Sequence, residues 1–173
     1  MALQGTKFGV DFNPAANRLR VISDLGQNLR HNIDDPAAPA GTTFDGVLTY
    51  PPITTAAPGV TGAAYTNNDL DANTSTTLFD LDTMLDQIAI QSPANSGTLA
   101  ATGKLGTDAG IDAGFDIYST VRNGRTVELE GYAALQANGG SELFEIDLLT
   151  GKADSEGSFN RTVTDIAIPL NQR

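Results

Sequence analysis

Apolar and polar side chains are arranged in short runs of roughly two-residue period, the pattern of half-buried β-strands. Such runs are Arg18-Leu19-Arg20-Val21-Ile22-Ser23, Asn28-Leu29-Arg30-His31-Asn32-Ile33, Gln87-Ile88-Ala89-Ile90-Gln91 and Glu142-Leu143-Phe144-Glu145-Ile146-Asp147, with further strands expected over 44–50, 76–81, 97–105 and 127–135. Turn signals separate them: Asp24-Leu25-Gly26, the Pro/Ala/Gly-rich stretch 35–41, Asn138-Gly139-Gly140 and Thr150-Gly151. Asn-Gly predicts a tight hairpin, because both residues tolerate positive φ. One window reads two ways. Leu78, Leu81, Leu85 and Ile88 are three and four apart, as on a helix face, while the β-branched pair Thr76-Thr77 before them favours strands.

The runs sit inside a longer period. Gly9-Val10-Asp11-Phe12-Asn13, Gly62-Ala63-Ala64-Tyr65-Thr66, Gly114-Phe115-Asp116-Ile117-Tyr118 and Asp165-Ile166-Ala167-Ile168-Pro169 resemble one another, with starts 53, 52 and 51 residues apart. A period near 50 is the length of one four-stranded propeller blade. Glycine in three of the segments suits innermost strands, which crowd together and need close backbone approach. The expectation is an all-β, β-propeller-like single domain over 1–173. It has three four-stranded antiparallel blades (about 8–60, 61–112 and 113–163) and an extra closing strand at 164–170.

Composition narrows the chemistry. Among 173 residues there is no Cys and one His, which excludes disulfides, thiol nucleophiles, Cys-ligated metals and multi-imidazole sites. The formal charge of −11 argues against nucleic acid and anionic membranes as partners. No apolar run approaches the ~20 residues of a membrane span, and residues 1–7 carry no secretory signal pattern.

Three constellations stand out. Asp69, Asp71, Asn73 and Ser75 alternate in an acidic loop, as oxygen ligands converging on Ca²⁺ would, but the Gly and distal Glu of an EF-hand loop are missing. The loop is therefore a calcium site or a solvated connection. Asp11, Asp116 and Asp165 lie on or beside expected inner strands. They would line a central channel and hold a metal or substrate, or else accept backbone N–H groups from the adjacent blade. Arg18, Arg20, Arg30 and His31 cluster in the first repeat, where cross-strand ion pairs with Asp24 and Asp34 are expected. Nothing here assembles a nucleophile with its base, and no Gly-x-Ser-x-Gly elbow or phosphate-cradling glycine pattern occurs. Tyr50, Tyr65, Tyr118 and Tyr132 read as packing residues.

The residues also carry a family resemblance. Gly9-Val10-Asp11-Phe12-Asn13-Pro14, Asn17-Arg18-Leu19-Arg20-Val21-Ile22-Ser23, Gly26-Gln27-Asn28-Leu29-Arg30, Gly62-Ala63-Ala64-Tyr65-Thr66-Asn67-Asn68, Thr76-Thr77-Leu78-Phe79 and Leu143-Phe144-Glu145-Ile146-Asp147 with Thr150-Gly151 together resemble the bacterial DUF4394 family. The resemblance implies a β-propeller often placed behind secretion signals, hence a secreted or periplasmic location. It implies no established activity, so no catalytic residue carries over. Members usually have further repeats ahead of the Gly-Val-Asp-Phe segment, which here lies almost at the start.

These readings predict a non-enzymatic extracytoplasmic binding or scaffold module. The alternatives are a calcium-dependent hydrolase built on the channel carboxylates and a self-assembling structural subunit. Three blades leave open faces and an orphan strand, so a homo-oligomer is expected, a dimer foremost, with Ile166 and Ile168 in its interface, or else blades supplied from a missing N-terminal part.

Overall fold

The computed structural model describes residues 2–67 and 74–169. Within them the chain forms twelve strands and one turn of 3₁₀ helix at Ala94–Ser96. The strands make three four-stranded antiparallel sheets, each an up-and-down meander in chain order. Sheet one is β1 (Phe8–Asn13), β2 (Arg18–Ser23), β3 (Asn28–Asn32) and β4 (Gly41–Phe44). Sheet two is β5 (Val60–Tyr65), β6 (Leu78–Asp82), β7 (Gln87–Gln91) and β8 (Leu99–Lys104). Sheet three is β9 (Ala113–Arg122), β10 (Arg125–Ala137), β11 (Gly140–Ile146) and β12 (Ala153–Ser158). The ambiguous window 78–88 is a strand hairpin, because Phe79 and Leu81 pair with Ile90 and Ile88 and bury one face of the sheet. No helix among the described residues is long and apolar enough to cross a membrane.

The sheets stack face on face. The two-residue alternation gives sheet two an apolar side on each face. Ala64, Phe79, Leu81 and Ile88 pack against Phe115, Ile117, Leu135, Phe144 and Ile146 of sheet three. Ala63, Tyr65, Leu78, Ala89 and Leu99 pack with Ile22 and with Leu48 from the loop beyond β4. Burial of each large apolar side chain stabilises the stack by about 1.5–3 kcal/mol. The hairpin joining β10 to β11 is the tight one that Asn-Gly predicts, with Asn138 at φ 51° and Gly139 at φ 87°.

The first strand of each sheet crosses the first strand of the next, and glycine marks each crossing. A Cβ on Gly9 would lie 2.6 Å from the backbone of Gly62 and Ala63, and one on Gly62 would lie 2.8 Å from the Cβ of Phe115. A Cβ on Gly114 would lie 2.4 Å from the amide nitrogen of Ile166. The crossings therefore succeed one another at the repeat period.

Two expectations are corrected. Segment 164–169 is not a closing strand: among the described residues it has no sheet partner, and it lies across β9 of its own third sheet. It is held by side-chain acceptors instead of a ladder, since Asp116 Oδ2 accepts the Ile168 N–H (2.6 Å) and Ser141 Oγ accepts the Val163 N–H (3.0 Å). Residue 170 lies outside the described residues. The outer strand of the first repeat runs Gly41–Phe44, not 44–50. Beyond Phe44 the chain leaves sheet one for the outer edge of sheet two, where Thr49 bridges Thr98 and its N–H reaches the Gly97 carbonyl at 2.8 Å. Its departure is fixed at Asp45, whose carboxylate is drawn inward by two arginines.

Candidate functional site

The polar centre of the molecule lies between sheets one and two. On β2 the alternation turns Arg20 toward sheet two, pairing it with Asp11 on β1 and Arg30 on β3. Arg20 is 2% exposed and all three of its guanidinium nitrogens donate. Nε donates to the Tyr65 hydroxyl (3.2 Å), Nη1 to Asn28 Oδ1 and Asp45 Oδ2 (both 2.7 Å), and Nη2 to Asn95 Oδ1 (2.8 Å). Arg30 Nε shares the same Asp45 oxygen at 3.0 Å. Four residues from four chain segments, Tyr65, Asn28, Asp45 and Asn95, thus converge on a single cation. The planar fork of arginine makes such a junction possible where a lysine point charge would not.

Facing this junction from β6 is Asp80. It is fully buried, and neither carboxylate oxygen has a hydrogen-bond partner among the described residues. Burial pushes its carboxyl well above the usual range, the Arg20 charge opposes this, and Asp82 adds to it. Asp82, next on the same face, accepts the Tyr50 hydroxyl at 2.9 Å and the amides of Met84 and Leu85. Its carboxyl is also raised, by burial ahead of these bonds.

The inner-strand carboxylates take up backbone amides. Asp11 Oδ2 accepts the Tyr65 N–H at 2.6 Å and Oδ1 the Phe12 N–H at 2.7 Å. Asp116 repeats the arrangement on Ile168 (2.6 Å) and Ile117 (2.7 Å). Asp165 is exposed and accepts the N–H of Ile166 at 2.9 Å. Burial lifts the Asp11 carboxyl to about 7 against the lowering of the Tyr65 amide, and the Asp116 charge raises it further. Of the two readings open at these positions, the geometry has Asp11 as a clasp between β1 and β5 and Asp116 as a clasp between β9 and segment 164–169. Among the described residues no group of three or more His, Asp or Glu side chains is placed to hold a metal ion.

Other sequence candidates fall as follows. Asp69, Asp71 and Asn73 lie outside the described residues. Ser75 is exposed, and its carbonyl accepts the Asn67 side-chain amide. The arginine partners differ from those expected: Arg18 pairs with Asp35 at 2.8 Å, and Arg20 and Arg30 pair with Asp45. Asp24 instead accepts the N–H and hydroxyl of Thr6. His31 bonds the Thr42 hydroxyl across β3 and β4 at 2.8 Å. Ile166 and Ile168 are half-buried and line a groove of about 420 Å³ with Tyr118, Glu130, Tyr132 and Leu143.

The sequence reading missed Asp45, Asn28, Asn95 and Asp80 as a unit. Asp80 carried a usable signal, an acid flanked on both sides by the large apolar residues Phe79 and Leu81. Asn95 carried none, since only the stacking of sheets brings it to Arg20.

The family described as a domain of unknown function, DUF4394, matches residues 1–167. No curated protein and no solved structure matches the chain.

Proposed function

The chain belongs to the DUF4394 family, and from that premise we propose that it is a non-enzymatic binding or scaffold module of β-propeller type, acting outside the cytoplasm. The three sheets are three consecutive blades, and the crossings of β1, β5, β9 and segment 164–169 run along the ring axis. The observation that carries the reading is the use of Asp11 and Asp116. Each of these carboxylates takes a backbone amide of the next segment, which is scaffold work, and among the described residues no third acid or His joins them to hold an ion.

Self-association belongs to the same proposal. The face of sheet one turned away from sheet two exposes Val10, Phe12 and Phe44, each more than half exposed, beside Leu19 and Val21. An apolar face of this kind is covered when two copies meet, and a homodimer is expected by sedimentation. The acidic loop adds weak calcium binding, read as a rise in melting temperature at millimolar Ca²⁺ that Asp71→Ala abolishes.

A metal titration tests the module against the hydrolase alternative. Under the scaffold reading, Ca²⁺, Mn²⁺ and Zn²⁺ give no thermal shift that depends on Asp116. A metal-dependent shift that Asp116→Asn removes would overturn it.

A further inference from the structure

Each stacking face carries its own chemistry at equivalent positions, and the three can be compared strand for strand. The residue paired with Asp11 in sheet one is Arg20, with Arg30 beyond it. The residue paired with Ala64, the equivalent position of sheet two, is Phe79, with Ile90 beyond it. The residue paired with Asp116 in sheet three is Tyr132, with Glu145 beyond it. The first face is cationic and meets a carboxylate, Asp80, on the second strand of the next sheet. The second face is apolar and meets the apolar side of sheet three. The third face is acidic. Glu128 and Glu130 lie on the same side of β10 as Tyr132, Glu145 lies beside Tyr132, and no Lys or Arg forms an ion pair with any of these glutamates among the described residues. Burial and the surrounding glutamates raise both Glu130 and Tyr132, as uncompensated negative charge does.

The backbone beside this face is also unpaired among the described residues. Segment 164–169 stands to β9 as β5 stands to β1, with the Asp116–Ile168 bond repeating Asp11–Tyr65 at the same 2.6 Å. Ala167 matches Ala64, which is paired with β6 through Phe79. Ala167 is exposed and its backbone makes no hydrogen bond among the described residues. One wall of the 420 Å³ groove is residues 166–169, and Tyr132, Leu143 and Glu130 lie opposite.

We infer that this groove is a β-addition site for an extended protein segment of alternating apolar and basic residues. Its backbone pairs with residues 165–168, and its Arg or Lys side chains lie on Tyr132, Glu130 and Glu145, mirroring with reversed charge the meeting of Arg20 and Asp80. The site rests on the binding-module reading. The metal titration above judges that reading separately, because pairing on this face involves no metal.

The test uses the whole chain and two acetylated, amidated nine-residue peptides, one alternating valine and arginine and one alternating valine and glutamate, with a fluorescent label. Anisotropy at physiological salt should show binding of the arginine peptide only. Glu130→Lys with Glu145→Lys should weaken it at least tenfold, and Asp34→Lys, a charge reversal in the connection after β3, should leave it within twofold. Hydrogen exchange at residues 165–168 should slow on binding. Equal binding of both peptides, equal loss in Asp34→Lys, or unchanged exchange at 165–168 would each overturn the assignment. So would a homodimer that the double variant dissolves, since a second copy would then cover this face.

Discussion

Asp11 in sheet one accepts the backbone N–H of Tyr65 in sheet two at 2.6 Å, joining two strands that share no ladder. A side chain here does what a backbone carbonyl does within a sheet, and it holds β1 against β5 where the two strands cross. Asp11→Ala leaves the Tyr65 amide without an acceptor in a partly buried setting, at a cost of about 1–3 kcal/mol. Chemical denaturation should show that loss. Asp116→Ala should act more locally, speeding amide exchange at Ile168, since the segment it holds has no sheet behind it.

Buried carboxylates make stability fall as pH rises. Asp11, Asp80, Asp82 and Asp116 all have carboxyls raised by burial, so the folded chain holds their protons more tightly than the unfolded chain does. Their contribution is complete below the ordinary value of 3.8 and is lost as pH climbs through the folded values, which for Asp11 means about 7. Asp24, Asp35 and Asp147 are lowered and act in the opposite sense only at more acid pH. Melting temperature should therefore decline as pH rises from the ordinary carboxylate value of 3.8 to about 7, where Asp11 titrates. Asp11→Asn should flatten the decline, and an unchanged slope in that variant would contradict the role given to Asp11.

Arg20 and Arg30 bind the same carboxylate, but Arg20 is almost wholly enclosed and the Arg30 side chain is 33% exposed. Arg20→Met leaves buried Asp80 without its cation and Asn28, Asn95 and Asp45 without the Arg20 donors, with only Arg30 still on Asp45, and should lower stability by about 3–5 kcal/mol. Arg30→Met should cost no more than about 1 kcal/mol. Paired urea titrations decide whether burial, and not mere pairing, sets the weight of these ion pairs.

Gly9→Ala would drive a methyl into the backbone of Gly62 and Ala63, which cannot rotate away. A loss of about 1–3 kcal/mol or more follows from forced strand separation. Gly140→Ala, with nothing within 4 Å of the added carbon, should stay within about 0.5 kcal/mol. The difference in melting temperature between the two variants measures the tightness of the crossing.

The two-residue alternation, the turn dipeptides and the 51–53-residue period were enough to predict an all-β chain in three four-stranded sheets. These are local signals, written within a few residues or repeated at fixed spacing, and β-meanders connect neighbours in sequence. The clasping role of Asp11 and Asp116 was also open in the sequence as one of two readings, because a carboxylate on a crowded strand must find donors. Tertiary structure decided the rest. Arg20 meets Asn95 and Asp80 only because sheet one lies on sheet two, and residues 75 and 60 positions apart leave no pattern that a period can reveal. Segment 164–169 has the composition of a strand, but a strand exists only where another backbone lies alongside. Within the described residues it crosses the β9 backbone at Gly114 instead of running alongside it and is held by side-chain acceptors of sheet three, so it forms no ladder.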